Sequence, residues 1–239
     1  MSNRKKNAYK SRELEIESAK LLGKHVSREK ERVLLVVTLA ACALPMVLGL
    51  RLWNGIPALV PSGLIGSDGK DDSIPRWMVA FGLPALMCLL EIIAHFMLHM
   101  NQKRMTLPPL PNRLVGRWGF PVISVLFCSG MILESTGAAL SLPFLTPCIL
   151  GLVLMMLGAH AWDCPRDAKI ALHFSFLEQN ERLWRDVHRF AAWVWMIVGL
   201  VVVAGVMLTA DSTLMTGVLI LAAVLAPMAY GKSKAGRLN

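Results

Sequence analysis

Charge is scarce in this sequence. Only 17% of its 239 residues are Asp, Glu, Lys or Arg, against about 25% in an ordinary soluble domain. The charges that do occur avoid the long apolar runs, which excludes a water-soluble globule built around one core. Cysteine pairing is also missing. The five cysteines, Cys42, Cys88, Cys128, Cys148 and Cys164, form no CxxC motif and outline no disulfide framework. They read as small apolar residues within helices. No Walker, Rossmann or GxSxG pattern occurs, so catalysis of the soluble-enzyme type has no support and neither enzyme activity nor a cofactor is expected. The first thirty-two residues contain no apolar core, so a cleavable signal peptide is not expected and the first spanning helix would act as the insertion signal.

What is present is hydrophobicity in long stretches. Apolar residues make up 55% of the chain and the mean hydropathy is +0.52. A bilayer-spanning helix needs about 20 mostly apolar residues. Six runs approach that length: Val33–Leu50, Trp77–His99, Trp118–Leu133, Leu140–Trp162, Phe190–Ala210 and Leu214–Tyr230. Tryptophans 53, 77, 118, 162 and 193 stand at run ends, where amphipathic rings favour the membrane interface. Pro45, Pro84, Pro121, Pro147 and Pro227 lie inside runs, which spanning helices tolerate when neighbours satisfy the freed carbonyls.

The formal net charge of +9 has two readings. In a soluble protein it would suggest nucleic acid. Here it follows the bias of Lys and Arg toward the cytoplasmic side, and no direct nucleic-acid contact is expected. The loop between runs two and three carries Lys103, Arg104, Arg113 and Arg117. The loop between runs four and five carries Arg166, Lys169, Arg182, Arg185 and Arg189, and the tail carries Lys232, Lys234 and Arg237. The remaining short loops, between runs three and four and between five and six, contain neither Lys nor Arg. The fold expected is therefore an all-α membrane protein with six transmembrane helices, both ends in the cytoplasm, and the lipid bilayer as its first partner.

This divides the chain into a basic segment over 1–32, helices one and two with an outer proline-containing loop over 33–100, helices three to six over 101–230, and a basic tail over 231–239. The N-terminal segment is either a surface helix or a disordered basic arm. The outer loop is unusually apolar over Ile56–Ile65 and should pack on the bundle or enter the interface.

Two loops carry a family resemblance. The outer loop reads Trp53-Asn-Gly-Ile-Pro57-Ala-Leu-Val-Pro61, then Gly69-Lys-Asp-Asp72. It resembles a small domain of unknown function that precedes the SdpI region in bacterial immunity proteins, although Ser62-Gly63-Leu64 stands where relatives often have His. The loop over 163–189 contains Asn180-Glu181-Arg-Leu-Trp184-Arg185-Asp-Val-His188-Arg189-Phe190. This is similar to the SdpI family pattern of Asn-Glu, a Trp three residues on, and a His-Arg pair entering the fifth helix. Upstream, Ala161-Trp162-Asp163 replaces the family's Gly-Asn-Tyr, Pro165 is kept, and the stretch around Leu172-His173-Phe174 is shorter than its counterpart. The resemblance implies a bacterial cytoplasmic-membrane protein that gives immunity to, or senses, a secreted peptide toxin and couples to a cytoplasmic transcriptional repressor. The residues it points to are Pro57, Pro61 and Asp72 outside, and Asn180, Glu181, Trp184, His188 and Arg189 inside.

One further constellation stands apart. Glu91, His95 and His99 are four residues apart and share a helix face. The fourth run ends in His160, Asp163 and Cys164. Together these form either a polar interhelical network, a metal site, or a proton relay. Trp184 and His188, also four apart, are either an interfacial anchor or part of a docking surface. Function therefore divides into an immunity or sensing protein, a transporter or membrane enzyme using the Glu/His cluster, and an accessory subunit of a membrane complex.

Overall fold

A computed structural model describes residues 28–65, 71–103, 110–162, 164, 171–174, 177, 180–209 and 212–236. The expectations for residues 1–27, Gly69, Asp163 and the last three tail residues lie outside these. The chain is helical through most of its described length. Helix α1 is Arg28–Arg51, α2 is Leu83–Lys103, α3 is Leu110–Ile123, α4 is Ser129–Ser135, α5 is Leu142–Ala161, α6 is Glu181–Leu208 and α7 is Thr213–Ala235. A π-helical turn, Met78–Gly82, leads into α2, and another, Ser124–Cys128, joins α3 to α4. Six of the resulting stretches are long and apolar enough to cross a membrane, as the apolar runs require.

The π turns fall beside prolines. Pro84 has no N–H to give the carbonyl four residues back, which is Ala80 within the first π turn. Pro121 stands just before the second. A missing donor and a ring pressed against the preceding turn widen the helix locally without breaking it.

The segment between α1 and α2 is not an irregular loop. After a 3-10 turn at Trp53–Gly55, strands β1, Leu59–Ile65, and β2, Asp71–Pro75, pair antiparallel. Leu59 faces Pro75, Val60 faces Ile74 and Pro61 faces Ser73, and the register shifts before Ile65 meets Asp71. Arg76 N–H extends the pairing by donating to the Ala58 carbonyl at 3.1 Å. Three prolines and Gly63 obscure the alternation that normally marks a strand. Pro61 is tolerated because a two-stranded hairpin has only edges. Ile56 and Val60 are buried while Leu59 is exposed, so the hairpin turns part of its apolar surface inward.

Two compact units are distinguishable, and each has its own interior. The larger comprises Leu34–Val153 and Gly199–Val218. Its buried side chains include Leu48, Val79, Val125 and Ile132. A Cβ on Gly49 would lie 2.9 Å from the Ala80 Cβ, so the glycine permits a close helix contact of the small-residue kind common in membranes. α4 ends on Gly137 at φ 78. Gly137 N–H reaches the Glu134 carbonyl at 2.9 Å and Ala138 N–H the Leu133 carbonyl at 3.0 Å. This is the paired closure that a left-handed residue after a helix allows.

The other unit draws on Leu154–Val198 and Leu219–Asn239 together with the chain up to Val33. Its interior holds Leu177, Leu183, Trp184 and Val187, with Ala171, Phe174, Tyr230 and Ala235 packed against them. Trp162 is buried here, not turned outward as a run-end anchor, and its ring lies 5.2 Å from that of the half-exposed Trp193.

Candidate functional site at the start of α6

α6 begins nine residues before its apolar run, and Asn180 explains why. Its Oδ1 accepts from the N–H groups of Arg182 at 3.0 Å and Leu183 at 3.2 Å. These are two of the donors that a helix start leaves without intrahelical partners. Glu181 follows in the first turn, where a negative charge suits the helix dipole. From this start one stripe is buried: Leu183, Trp184, Val187, His188, Ala191, Ala192, Trp195 and Met196. Glu181, Arg182, Arg185 and Arg189 are exposed, and further along Trp193, Ile197 and Val201 are exposed instead. The outward face thus changes from charged to apolar between Arg189 and Trp193, which places the water-to-lipid boundary there.

Trp184 and His188 are 3% and 2% exposed. Neither is a surface anchor. Their rings stack at 4.2 Å between centroids, 28° from parallel, and His173 packs on the indole at 5.7 Å. Each ring also ties α6 to the segment before it. Trp184 Nε1–H donates to the Cys164 carbonyl at 3.0 Å. Leu172 N–H donates to His188 Nε2 at 3.1 Å. His188 Nδ1 is 2.9 Å from the Trp184 carbonyl, one helical turn back. Nε2 must accept, so the assigned tautomer carries its proton on Nδ1 and donates it to that carbonyl. The neutral ring is satisfied at both nitrogens, and the two aromatic residues form a clamp that holds Cys164 and Leu172 against α6.

Around the clamp lies a ring of charge. Arg189 Nη2 meets Glu29 Oε2 at 3.2 Å and its guanidinium sits 5.5 Å from the Trp162 ring. Lys234 Nζ reaches Asp186 Oδ2 at 2.6 Å and also donates to the Tyr230 hydroxyl at 3.3 Å. Phe190 stacks on Tyr230 at 4.3 Å. Arg185 and Glu181 pair at 3.6 Å on the exposed face. These partners are 48 and 160 residues apart for Lys234 and Arg189. The four-residue spacing of Trp184 and His188 is local and readable, whereas nothing in the sequence announces Cys164, Leu172, Glu29 or Lys234 as their contacts.

The second candidate constellation is only partly assembled. Glu91 is 1% exposed in the larger unit. His95 follows one turn later on α2, half-buried. The side chain of His99 and all of Asp163 lie outside the described residues. His160 belongs to the other unit, where its Nδ1 donates to the Met156 carbonyl of its own helix at 2.8 Å. Among the described residues no three of His, Cys, Asp and Glu are grouped so as to hold a metal ion. The described cysteines are all free thiols.

The residues singled out between the first two spans are brought close by the hairpin. Pro61 lies opposite Ser73 beside Asp72, and Pro57 precedes the Ala58 carbonyl bonded by Arg76 N–H. All three singled-out side chains, Pro57, Pro61 and Asp72, are exposed. Arg76 covers the Trp53 ring at 4.5 Å, and Trp53 in turn packs on Phe81 at 5.5 Å.

A helical membrane protein with six spans and a capped, clamped entry into the fifth is the class this architecture defines. Residues 178–231 match the sequence model of the SdpI/YfhL protein family. The match covers the Asn180 cap, the Trp184–His188 clamp and all but the end of α7, so the chain carries an SdpI-type region where the signature was read. No curated protein and no solved structure matches the chain.

Proposed function

We propose that this chain is an SdpI-type binding protein, not an enzyme, of the bacterial cytoplasmic membrane. It gives immunity to, or senses, a secreted peptide toxin and passes that state to a cytoplasmic regulator. The observation that carries the reading is the coincidence of the family-matched segment with the clamp at the start of α6. Such a clamp presents Glu181, Arg182, Arg185 and Arg189 on a rigid helix face, a geometry suited to a cytoplasmic partner. The outer hairpin, with Pro57, Leu59, Pro61 and Asp72 exposed, is the element offered to the peptide. An exposed two-stranded edge takes an extended chain by main-chain pairing.

The test is protection. The chain is expressed in a sensitive bacterium and the cells are challenged with secreted membrane-active peptides. Protection should appear against at least one peptide and be lost in Leu59→Asp at unchanged membrane abundance. Unchanged killing by every peptide would remove the immunity reading. Cross-linking from position Arg185 should capture a regulator only when the matching peptide is present.

A further inference from the structure

Glu91 is a carboxyl group inside a spanning segment. It stands seven residues before the Leu98 end of that span, about 10 Å along a helix. It is 1% exposed, and its Oε2 has no hydrogen-bond partner. Ionisable groups at such depth mark ion or proton sites when they point into a bundle.

The groups facing it come from three spans. Thr38 and Cys42 lie on α1, Cys88 on α2 itself, and Arg117 on α3. His95 is one turn further along α2. The nearby hydroxyl and thiol also have backbone acceptors within reach. Thr38 Oγ1–H goes to the Leu35 carbonyl at 3.2 Å, and Cys88 S–H to the Leu39 carbonyl at 3.8 Å. Behind Cys42, Ser124 Oγ–H is given to the Cys42 carbonyl at 2.6 Å. A Thr38 hydroxyl that donates to the Leu35 carbonyl turns lone pairs toward Glu91, and one rotated toward Glu91 donates to it. Such surroundings accept a hydrogen bond from a carboxylic acid and offer a carboxylate the Thr38 hydroxyl and the attraction of Arg117.

We propose that Glu91 is an intramembrane proton-binding site that takes up and releases a proton between α1, α2 and α3. The neutral acid donates to Thr38. The ionised group is drawn toward the Arg117 guanidinium instead. Each proton exchange therefore changes how α2 is tied to α1 and α3. The proposal does not depend on the immunity reading, because it concerns a different ligand and none of the residues that reading uses.

The probe is dicyclohexylcarbodiimide, a lipid-soluble reagent that adds to protonated carboxyls, applied to the full chain in liposomes. Mass spectrometry should place the adduct on Glu91. Adduct yield should fall as pH rises, approaching tenfold per unit above the midpoint. In infrared difference spectra, wild type minus Glu91→Gln should show a protonated carboxyl band that follows the same curve. No adduct on Glu91, or a yield independent of pH, would overturn the proposal, and both are read on wild-type protein even if the variant fails to fold. Protection by sodium at fixed pH would also overturn it, in favour of a cation site.

Discussion

Replacing His188 by Ala tests the clamp most directly. The imidazole is 2% exposed and makes two hydrogen bonds, one from Leu172 N–H and one to the Trp184 carbonyl. The carbonyl keeps its helical partner when the ring is removed. The Leu172 N–H has no replacement, and an orphaned buried donor costs about 1–3 kcal/mol. Loss of the stack on Trp184 adds about 0.5–1.5 kcal/mol. A combined loss of about 1.5–4.5 kcal/mol corresponds to a rise of about 10-fold to about 2,000-fold in local opening. The assay is amide hydrogen exchange by mass spectrometry on protein in mild detergent. Peptides covering 171–174 should exchange faster by that factor, and the Cys164 thiol should react faster with a maleimide. Peptides from α1 and α5 should be unchanged. His188→Gln offers its side-chain oxygen to Leu172 and should recover part of the protection. If 171–174 exchange at the wild-type rate in His188→Ala, the ring is not holding that segment and the clamp is wrong.

Other changes separate packing from charge. Gly158→Ala should destabilise the protein by about 1–3 kcal/mol, because its Cβ would meet the Ala192 carbonyl oxygen and the Met196 Cγ, both at 2.8 Å. Gly217→Ala should be neutral or slightly stabilising, since a Cβ there meets nothing within 4 Å; thermal melting in one detergent compares the two. Asn180→Ala should cost about 0.5–2 kcal/mol and fray the first turn of α6, while Asn180→Asp should not, as read by exchange over 181–185. A double-mutant cycle on Lys234→Met and Asp186→Asn should give a coupling of about 1 kcal/mol or less that shrinks with salt, because both groups of this 2.6 Å pair remain substantially exposed. A coupling of several kcal/mol would mean the pair is shielded by lipid or by a partner.

Much of the fold was legible because the bilayer imposes one simple demand. Backbone polar groups in hydrocarbon must bond within their own segment, so apolar length alone marks the six spans. The ends were less legible. The apolar run of the fifth helix opens at Phe190, yet α6 starts at Glu181. Its first turns are set by the Asn180 cap and by buried Trp184 and His188, which a hydropathy window counts as polar or aromatic punctuation. The hairpin was hidden for a different reason. Its prolines suppress the alternation expected of a strand, and its pairing depends on register between Leu59–Pro61 and Ser73–Pro75, a relation between segments and not a property of either.

The site shows the same division between local and distant. Spacing correctly put Trp184 and His188 on one face, but it left open which way that face points. Burial decides this, and it changes what the family pattern means in chemical terms. The Asn, Trp and His of the pattern are spent on an N-cap, on the Cys164 carbonyl and on the Leu172 N–H. Trp184 and His188 are buried and Asn180 is half-buried, so these side chains are engaged within the fold. Any partner approaching the start of α6 meets Glu181 and Arg189 of the pattern together with Arg182 and Arg185, which the pattern leaves open. Two relatives could therefore share the whole pattern and still bind different regulators, because specificity would rest on positions that the pattern does not fix. Charge reversal at Arg182 and Arg185 should then abolish partner capture while leaving exchange over 171–174 at the wild-type rate. His188→Ala should loosen that segment and weaken capture together. Loss of capture from charge reversal accompanied by faster exchange there would show that the exposed face and the clamp are not separable.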